Sequence, residues 1–417
     1  SRLASTSLGL SAAAGPVAAI LIIGFGAMLL GGANRPEVIT ALAVYGAVAI
    51  PGQLREHFLM IARTEERFGL IAGVAVSVAI VYGILAVFGS WFWGIYGFLV
   101  AVAIQRLFRT AAVWYFVRSG TTFAIHRTAL SSLIVSGFPM ALAAMAFALA
   151  TTADDLMVLA LLGQEALGVY SIAILGRAYL WQVGNALGSV WGARIQYMLG
   201  RDQDEAALSG LILRQGALIS LVLPLSFGPM VIVAETAVFS FLPEFAEGVI
   251  PLRILSIAVF LRVIRALPGN YMIALGKERL ALIFGAVAAA TSLAAATLAL
   301  GLGFGLEGAA FGAVVGATVH FAATSGYVAA RTPRAKVSAV ILAALTLPGI
   351  YMIAVMVVSD HLSPTTVISA DGFHVLRQFA QRLILYVVAM IPIVVLAFHR
   401  WLENSQDRAS TPMIRRT

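Results

Sequence analysis

Three arginines lie inside long apolar stretches, where a charged side chain is unexpected. Arg177 is about halfway along the stretch 164–193, and Arg262 is near the middle of the stretch 248–275, with Arg265 one helical turn further on. A guanidinium at the centre of a membrane-spanning helix costs at least about 2.5–3.5 kcal/mol on insertion scales, so it should face an aqueous cavity or an acidic partner. Arg262 and Arg265 project from one side of a helix, and their forked donors suit the oxygens of a diphosphate.

The face of the helix around Arg177 combines an aromatic, a cationic and two small residues. Tyr170, Arg177, Gly184 and Gly188 fall within about 40° of one another at 100° per residue. This face is either the wall of a ligand-binding cavity or a helix-packing surface on which Arg177 binds a neighbouring carbonyl or carboxylate. For Arg265 the alternative to ligand binding is that the side chain extends to the lipid head groups.

Two further arginines are candidates for cavity lining in the first part of the chain. Arg55 lies in the inner third of the stretch 37–60, and Arg106 lies in the stretch 92–117. The alternative is that both are ordinary charges at the membrane interface. We expect Arg55 to reach Glu56 only poorly, because adjacent residues on a helix diverge by about 100°.

The sequence offers few acidic residues, nucleophiles or cofactor-binding motifs as candidates for a functional site. Asp154 and Asp155 follow the apolar stretch 129–153, which favours a solvated loop; the alternative is a site that couples transport to a proton or sodium ion. The absence of cysteine excludes disulfides and thiolate chemistry. We find no phosphate-binding Gly-rich loop, no Gly-x-Ser-x-Gly motif and no zinc-binding helix motif, and therefore expect no metal or other cofactor.

The elements that position these residues are membrane-spanning helices. The 417 residues are 61% hydrophobic and 11% charged, and the mean hydropathy of +0.96 excludes an ordinary water-soluble surface. The composition therefore predicts an all-α polytopic membrane protein with about twelve visible spans. The predicted spans are 8–31, 37–60, 69–89, 92–117, 129–153, 164–193, 210–236, 248–275, 280–301, 305–330, 337–358 and 378–400.

The charges of the loops predict the orientation of the chain. The loops after every second span are basic, with Arg63, Arg127, Arg201, Lys277 and Arg331. The alternate loops hold acidic residues, namely Glu165, Glu244, Glu307 and Asp360. Because basic loops stay in the cytoplasm, both ends of this chain are expected there. The net charge of +8 is spread over these loops, so it does not indicate nucleic-acid binding.

An internal repeat relates the two halves of the chain. FLMIARTEERFGLIAG at residues 58–73 resembles NYMIALGKERLALIFG at residues 270–285, with Met60 and Met272 placed 212 positions apart. Six spans separate the copies, and since six is even, both copies cross the bilayer in the same direction, as in parallel transporter repeats. Two glycine pairs keep nearly the same offset, Gly15 with Gly228 and Gly94 with Gly308.

The repeat predicts two helical lobes followed by an additional helix pair. Residues 1–119 form a first lobe of four helices, which lacks counterparts of the two spans that open the second lobe at 127–332. Residues 336–401 form a C-terminal transmembrane pair that matches neither copy, and residues 402–417 form a cytoplasmic tail. We therefore expect that the sequence is truncated before the first visible span; we see no signal peptide.

The plan of six plus six plus two helices resembles that of the polysaccharide and oligosaccharide-lipid flippases. This O-antigen flippase-like family belongs to the superfamily of multidrug, oligosaccharidyl-lipid and polysaccharide exporters. DDLMVLALLGQEALGVYSIAILGRA at residues 154–178 is similar to the sequence that opens a lobe in that family, and LPEFAEGVIPLRILSIA at residues 242–258 is similar to the segment after the third helix of a lobe. The resemblance implies two lobes around a cationic cavity that opens alternately to either side of the bacterial inner membrane.

The resemblance implies that the protein is a transporter rather than an enzyme. Its expected cargo is a polyprenyl-pyrophosphate-linked oligosaccharide, with membrane lipids and a polysaccharide polymerase or other assembly proteins as partners, and no nucleic acid. A MATE-type drug antiporter is one alternative, but its lobes should hold interior carboxylates rather than arginines. The other is a membrane-embedded glycan polymerase or ligase with Asp371 and His374 as acid and base, although both residues fit a solvated loop.

Overall fold

The computed structural model describes residues 2–29, 36–65, 67–117, 126–199, 205–331, 346–358 and 372–410. These residues form helices, and no strand occurs among them. The helices are α1 (Arg2–Leu29), α2 (Pro36–Thr64), α3 (Phe68–Phe116), α4 (Arg127–Met157), α5 (Gly163–Leu199), α6 (Glu205–Phe241), α7 (Val249–Ala274), α8 (Glu278–Gly301), α9 (Gly305–Ala329), α10 (Thr346–Val358) and α11 (Gly372–Ser410).

The helices are those of a multi-pass membrane protein. Within the described part of the chain, eight segments are long and apolar enough to cross a bilayer. Large apolar side chains cover the outside, as at Trp91, which is 83% exposed, and Phe241, which is 81% exposed. Such a surface is stable in lipid but not in water. The prediction of an all-α polytopic membrane protein is confirmed.

Two of the predicted spans, 69–89 and 92–117, lie in the single element α3. The helix is interrupted at Gly94, whose φ of 56° and ψ of −136° are not helical. A side chain is strongly disfavoured in this conformation, so glycine is the residue that allows the break. A Cβ added at Gly89 would lie 2.7 Å from the carbonyl oxygen of Gly97, so the backbone also returns close to itself around the break.

The repeated sequence forms a helix–turn–helix in both copies. In the first copy α2 ends at Thr64 and α3 begins at Phe68; in the second, α7 ends at Ala274 and α8 begins at Glu278. Gly276 makes the second turn with a φ of 69°. The two copies thus place a short turn at equivalent points, as the sequence repeat predicts.

The chain divides into two compact units, which we call unit 1 (Ser1–Phe138) and unit 2 (Pro139–Thr417). In unit 1 a small core joins α1, α2 and α3 around Phe58 and Val113. In unit 2 a larger core joins α5, α6, α7, α9, α10 and α11 around Tyr170 and Leu255, both of which are fully buried.

The C-terminal helix α11 packs tightly on α6. Tyr386 of α11 is fully buried and its hydroxyl donates a 2.7 Å hydrogen bond to the carbonyl oxygen of Pro224. Gly228, one turn further along α6, lies directly against the ring of Tyr386, where a Cβ would overlap the ring atoms. The hydroxyl of Tyr351 in α10 donates a 2.6 Å hydrogen bond to the carbonyl oxygen of Ala389, which connects the two C-terminal helices.

We expect the substitution Gly228→Ala to lower the melting temperature of the detergent-solubilised protein. The new methyl group must displace a buried, hydrogen-bonded tyrosine ring, and overpacking of this kind costs about 1–3 kcal/mol. Gly24→Ala is the matched control, since no atom lies within 4 Å of a Cβ built at Gly24. Equal melting temperatures for the two variants would show that α11 does not pack on Gly228.

Candidate functional site

A buried ionic cluster joins α4 to α5 in unit 2. The carboxylate oxygen Oδ2 of Asp154 accepts a 2.7 Å hydrogen bond from the hydroxyl of Tyr170 and another of 2.7 Å from Nη1 of Arg177. Nη2 of Arg177 donates to Oδ2 of Asp155 at 2.5 Å. The Asp154 side chain is completely buried, and the side chains of Arg177 and Asp155 are 11% and 18% exposed. Of the arrangements expected for Arg177, the structure therefore shows the one in which its guanidinium binds carboxylates of a neighbouring helix.

The local sequence explains this geometry. Tyr170 and Arg177 are seven residues apart, close to two helical turns, so they project from the same face of α5. The connection from α4 is a π-helical segment, Val158–Leu162, followed by Gly163 with a φ of 89°. A positive φ at glycine lets the chain change direction without strain, so α5 follows with its polar face towards Asp154.

The prediction that Asp154 and Asp155 lie in a solvated loop is wrong. Both belong to the last turns of α4, which continues to Met157. A buried carboxylate is strongly disfavoured without donors, and Tyr170 and Arg177 supply them. The second oxygen of each aspartate, Oδ1, is also buried and accepts no hydrogen bond from the described residues.

Helix α7 brings a second guanidinium to the cluster. Two glycines of α5 leave space for α7, since Gly176 lies against Leu252 and Gly184 lies against Val263. Small residues allow this close approach of membrane helices. Arg262 of α7 is 4% exposed and interacts electrostatically with both aspartates and with Arg177.

Arg265 extends the positive charge along α7. Its Cζ lies 5.1 Å from the centroid of the Phe147 ring, which is the geometry of a cation–π contact. Nε of Arg265 is buried and has no hydrogen-bond partner among the described residues, and within this part of the chain Arg265 forms no ion pair with a carboxylate. Three arginines and two aspartates thus form this site, which we call the unit 2 site, and its net charge is positive.

In unit 1 the predicted residues Arg55 and Arg106 belong to another basic group. Arg109 of α3 interacts electrostatically with Arg55, Arg63, Arg106 and Glu56, so the group contains four basic residues and one acidic residue. The expectation that Arg55 reaches Glu56 poorly is wrong, since Nη2 of Arg55 lies 2.5 Å from Oε1 of Glu56. Both side chains are long enough to bend along the helix surface and meet although their Cβ atoms diverge. We call this group the unit 1 basic group.

The sequence reasoning missed a second buried ionic cluster. Glu235 of α6 is bound by Arg253 of α7, through Nε and through a 2.8 Å hydrogen bond from Nη2, and by Nη2 of Arg382 of α11 at 3.1 Å. Glu235 and Arg382 are almost completely buried. A glutamate in the apolar stretch 210–236 was the available signal, since an ionisable residue at such a position needs a partner.

The described residues contain no group of three histidine, aspartate or glutamate side chains that can hold a metal ion. Asp371 and the side chain of His374, the candidates for enzymatic acid–base chemistry, lie outside the described part of the structure. The described residues instead provide positive charge. Guanidinium groups outnumber carboxylates in the unit 2 site, where most of them are buried, and in the unit 1 basic group, where they are partly exposed. Such an excess is suited to holding an anion.

The fold is that of flippases and multidrug transporters. The lipid II flippase MurJ in an inward closed conformation matches 93% of this chain and 82% of its own chain, with a TM-score of 0.62 and 13% identity. An outward-facing MATE multidrug transporter matches 79% of this chain and 78% of its own chain, with a TM-score of 0.58 and 18% identity. The MATE transporter is described as a member of the MOP superfamily. Another transporter of that superfamily, from Pyrococcus furiosus, matches 80% of this chain and 80% of its own chain, with a TM-score of 0.54 and 16% identity.

A family model described as polysaccharide biosynthesis protein matches residues 4–244, more than half of the chain. The chain therefore belongs to this polysaccharide biosynthesis family, and the resemblance to a flippase-like family is confirmed. No curated protein matches the sequence significantly.

Proposed function

We propose that this protein moves a polyprenyl-pyrophosphate-linked oligosaccharide across the bacterial inner membrane. The membership of a polysaccharide biosynthesis family supports the cargo class, and the fold shared with a lipid II flippase supports movement of a lipid-linked substrate. The basic loops support an orientation with both ends of this chain in the cytoplasm. The chemistry is binding and release rather than bond cleavage, so the protein acts as a transporter and not as an enzyme.

The position of Arg265 is the observation on which the proposal rests. Its guanidinium belongs to the predicted span 248–275, stacks on Phe147, and has no carboxylate partner among the described residues. A charge at such a position is expensive unless an opposite charge arrives. A pyrophosphate supplies that charge, and the forked donors of arginine bind its oxygens in pairs.

The remaining residues of the unit 2 site have supporting roles. Arg262 adds a second positive charge one turn from Arg265, while Arg177, Asp154 and Tyr170 fix the adjoining faces of α4 and α5. The ion pairs hold Arg177 in place, so its contribution to cargo binding is secondary to that of Arg265.

The unit 1 basic group supports the same cargo. Arg55, Arg106 and Arg109 provide a second region of excess positive charge on α2 and α3. In alternating access, a transporter exposes its cargo first to one side of the membrane and then to the other. Each basic group by itself offers positive charge to a pyrophosphate while the polyprenyl tail stays in lipid. Assembly proteins such as a polysaccharide polymerase are the expected partners downstream.

We expect Arg265→Gln and Arg106→Gln each to reduce transport at least about tenfold, because a hydrogen bond to a charged group contributes about 1.5–3 kcal/mol. The measurement is translocation of a fluorescent polyprenyl-pyrophosphate-linked sugar in proteoliposomes. Arg279→Gln is the matched control, because Arg279 is exposed at the start of α8 and belongs to neither basic group. Wild-type transport by both test variants would refute the proposal.

A MATE-type drug antiporter is the second candidate, and the buried carboxylates Asp154, Asp155 and Glu235 favour it. Each of them is already bound by arginine, however, which leaves less negative charge for a cationic drug. The same proteoliposomes test this candidate. An antiporter exchanges ethidium for protons or sodium ions that move down their gradient, and it does not translocate the lipid-linked sugar. In that case Asp154 and Asp155 are the residues that would couple transport to the ion.

A further inference from the structure

A group of aromatic side chains adjoins the arginines of unit 2. The ring of Phe147 in α4 lies 5.8 Å from the ring of Trp181 in α5, at an interplanar angle of 37°. It lies 6.3 Å from the ring of His320 in α9, at 60°. The guanidinium of Arg265 stacks on the same Phe147 ring. Three helices thus supply rings to one place, and a fourth supplies a cation.

The rings of Phe147 and Trp181 are only partly covered. Both side chains are of intermediate exposure, whereas the core aromatics of the same unit, such as Phe227 and Phe260, are almost completely buried. The partial exposure leaves ring surface on which a ligand can stack.

The spacing along the helices joins this aromatic group to the charged site. Trp181 is four residues after Arg177 on α5, and Arg265 is three residues after Arg262 on α7. Residues three or four apart are neighbours on a helix surface. Trp181 therefore lies one helical turn from Arg177 on α5, and α5 packs closely at Gly176 and Gly184 on α7, which carries Arg262 and Arg265.

We propose that Phe147 and Trp181 form a binding site for a sugar ring next to the arginines. One face of a pyranose presents a patch of C–H groups with partial positive charge, which complements the negative face of an aromatic ring. The pyrophosphate of the cargo is attached directly to the first sugar, so a diphosphate at Arg265 places that sugar within reach of the neighbouring rings. This proposal rests on the proposed function and adds the residues that recognise the carbohydrate.

The test compares two probes on the purified protein in nanodiscs. One is undecaprenyl pyrophosphate, and the other is the same lipid carrying a single N-acetylglucosamine. We expect Trp181→Leu to weaken binding of the sugar-bearing lipid about two- to tenfold and to leave binding of the sugar-free lipid unchanged, since an aromatic contact is worth about 0.5–1.5 kcal/mol. Trp181→Phe should keep most of the affinity, because it retains a ring at the site.

Tyr179→Leu provides the matched control. Tyr179 lies two residues from Trp181 on the same helix and is 64% exposed, so its loss removes an aromatic ring without touching this site. Equal weakening of both lipids by Trp181→Leu, or no effect on either, overturns the sugar site while leaving the transport proposal intact. If the wild-type protein binds neither lipid, both proposals fail.

Discussion

Replacing Arg177 with methionine is expected to destabilise the protein by about 3–5 kcal/mol. The substitution leaves Asp154, which is completely buried, and Asp155, which is largely buried, without the guanidinium that binds both. Removing one partner of a buried ion pair leaves an uncompensated charge, and this costs far more than the net contribution of the pair. The measurement is the melting temperature of the detergent-solubilised protein.

A variant in which Asp154, Asp155 and Arg177 are all replaced by neutral residues distinguishes the effect of an unpaired charge from the effect of lost packing. In the triple variant Asp154→Asn, Asp155→Asn and Arg177→Gln, neither aspartate is left as an unpaired carboxylate, so part of the lost stability should return. The recovery should be incomplete, because Arg262 loses the two carboxylates with which it interacts. Arg279→Met, at an exposed position of α8, removes an arginine without disturbing an interior pair and should leave the melting temperature unchanged. If the Arg177→Met variant has the same melting temperature as the wild type, the ion pairs do not stabilise unit 2.

The expected instability of Arg177 variants decides which arginine is suitable for a transport experiment. Charge reversal at Arg177 would place three buried negative charges together, and the protein would lose its fold whether or not Arg177 touches cargo. Arg265 stacks on Phe147 and has no carboxylate partner among the described residues, so its neutral variant is the more informative one.

The substitution Glu235→Gln is expected to have an effect of similar size. It removes the carboxylate that Arg253 and Arg382 share, and Arg382 is 1% exposed. Both guanidinium groups then lose the buried carboxylate that they share, which we expect to cost about 3–5 kcal/mol. The measurement is thermal unfolding, together with limited proteolysis of the segment that precedes α11.

Glu244→Gln is the matched control for this experiment, because Glu244 is exposed in the 3-10 segment Pro243–Gly248. It makes the same chemical change at a solvated site and should leave unfolding and proteolysis as in the wild type. Faster cleavage before α11 in Glu235→Gln alone would show that the buried carboxylate holds this helix. Identical behaviour of the two variants would contradict a stabilising role for Glu235.

The sequence alone predicts the membrane helices and the shared face of Tyr170 and Arg177. Apolar stretches long enough to cross a bilayer have few alternative structures, because every backbone polar group must be satisfied within the helix. The break of α3 at Gly94 lies three residues after the predicted boundary at 90–91. The seven-residue spacing of Tyr170 and Arg177 correctly predicts that they share one face of α5. These features depend on local periodicity, which a sequence shows directly.

What the sequence did not predict depends on contacts between distant residues. The position of Asp154 directly after the predicted span 129–153 favours a solvated loop, yet Tyr170 and Arg177 of α5 donate hydrogen bonds to its carboxylate. Glu235 and Arg382 are 147 positions apart, and no spacing rule connects them. The aromatic contact between Phe147 and Trp181 likewise requires α4 and α5 to be packed first.

The contact between α6 and α11 also makes the molecule convenient to follow by distance measurements. Tyr386, Gly228, Glu235 and Arg382 hold these two helices together at several points, so the pair forms a rigid reference element within unit 2. The chain has no cysteine, and thiol-reactive spin labels therefore attach only where a cysteine is introduced. One label pair across α6 and α11 supplies an internal ruler against which a second pair reports movements of other helices.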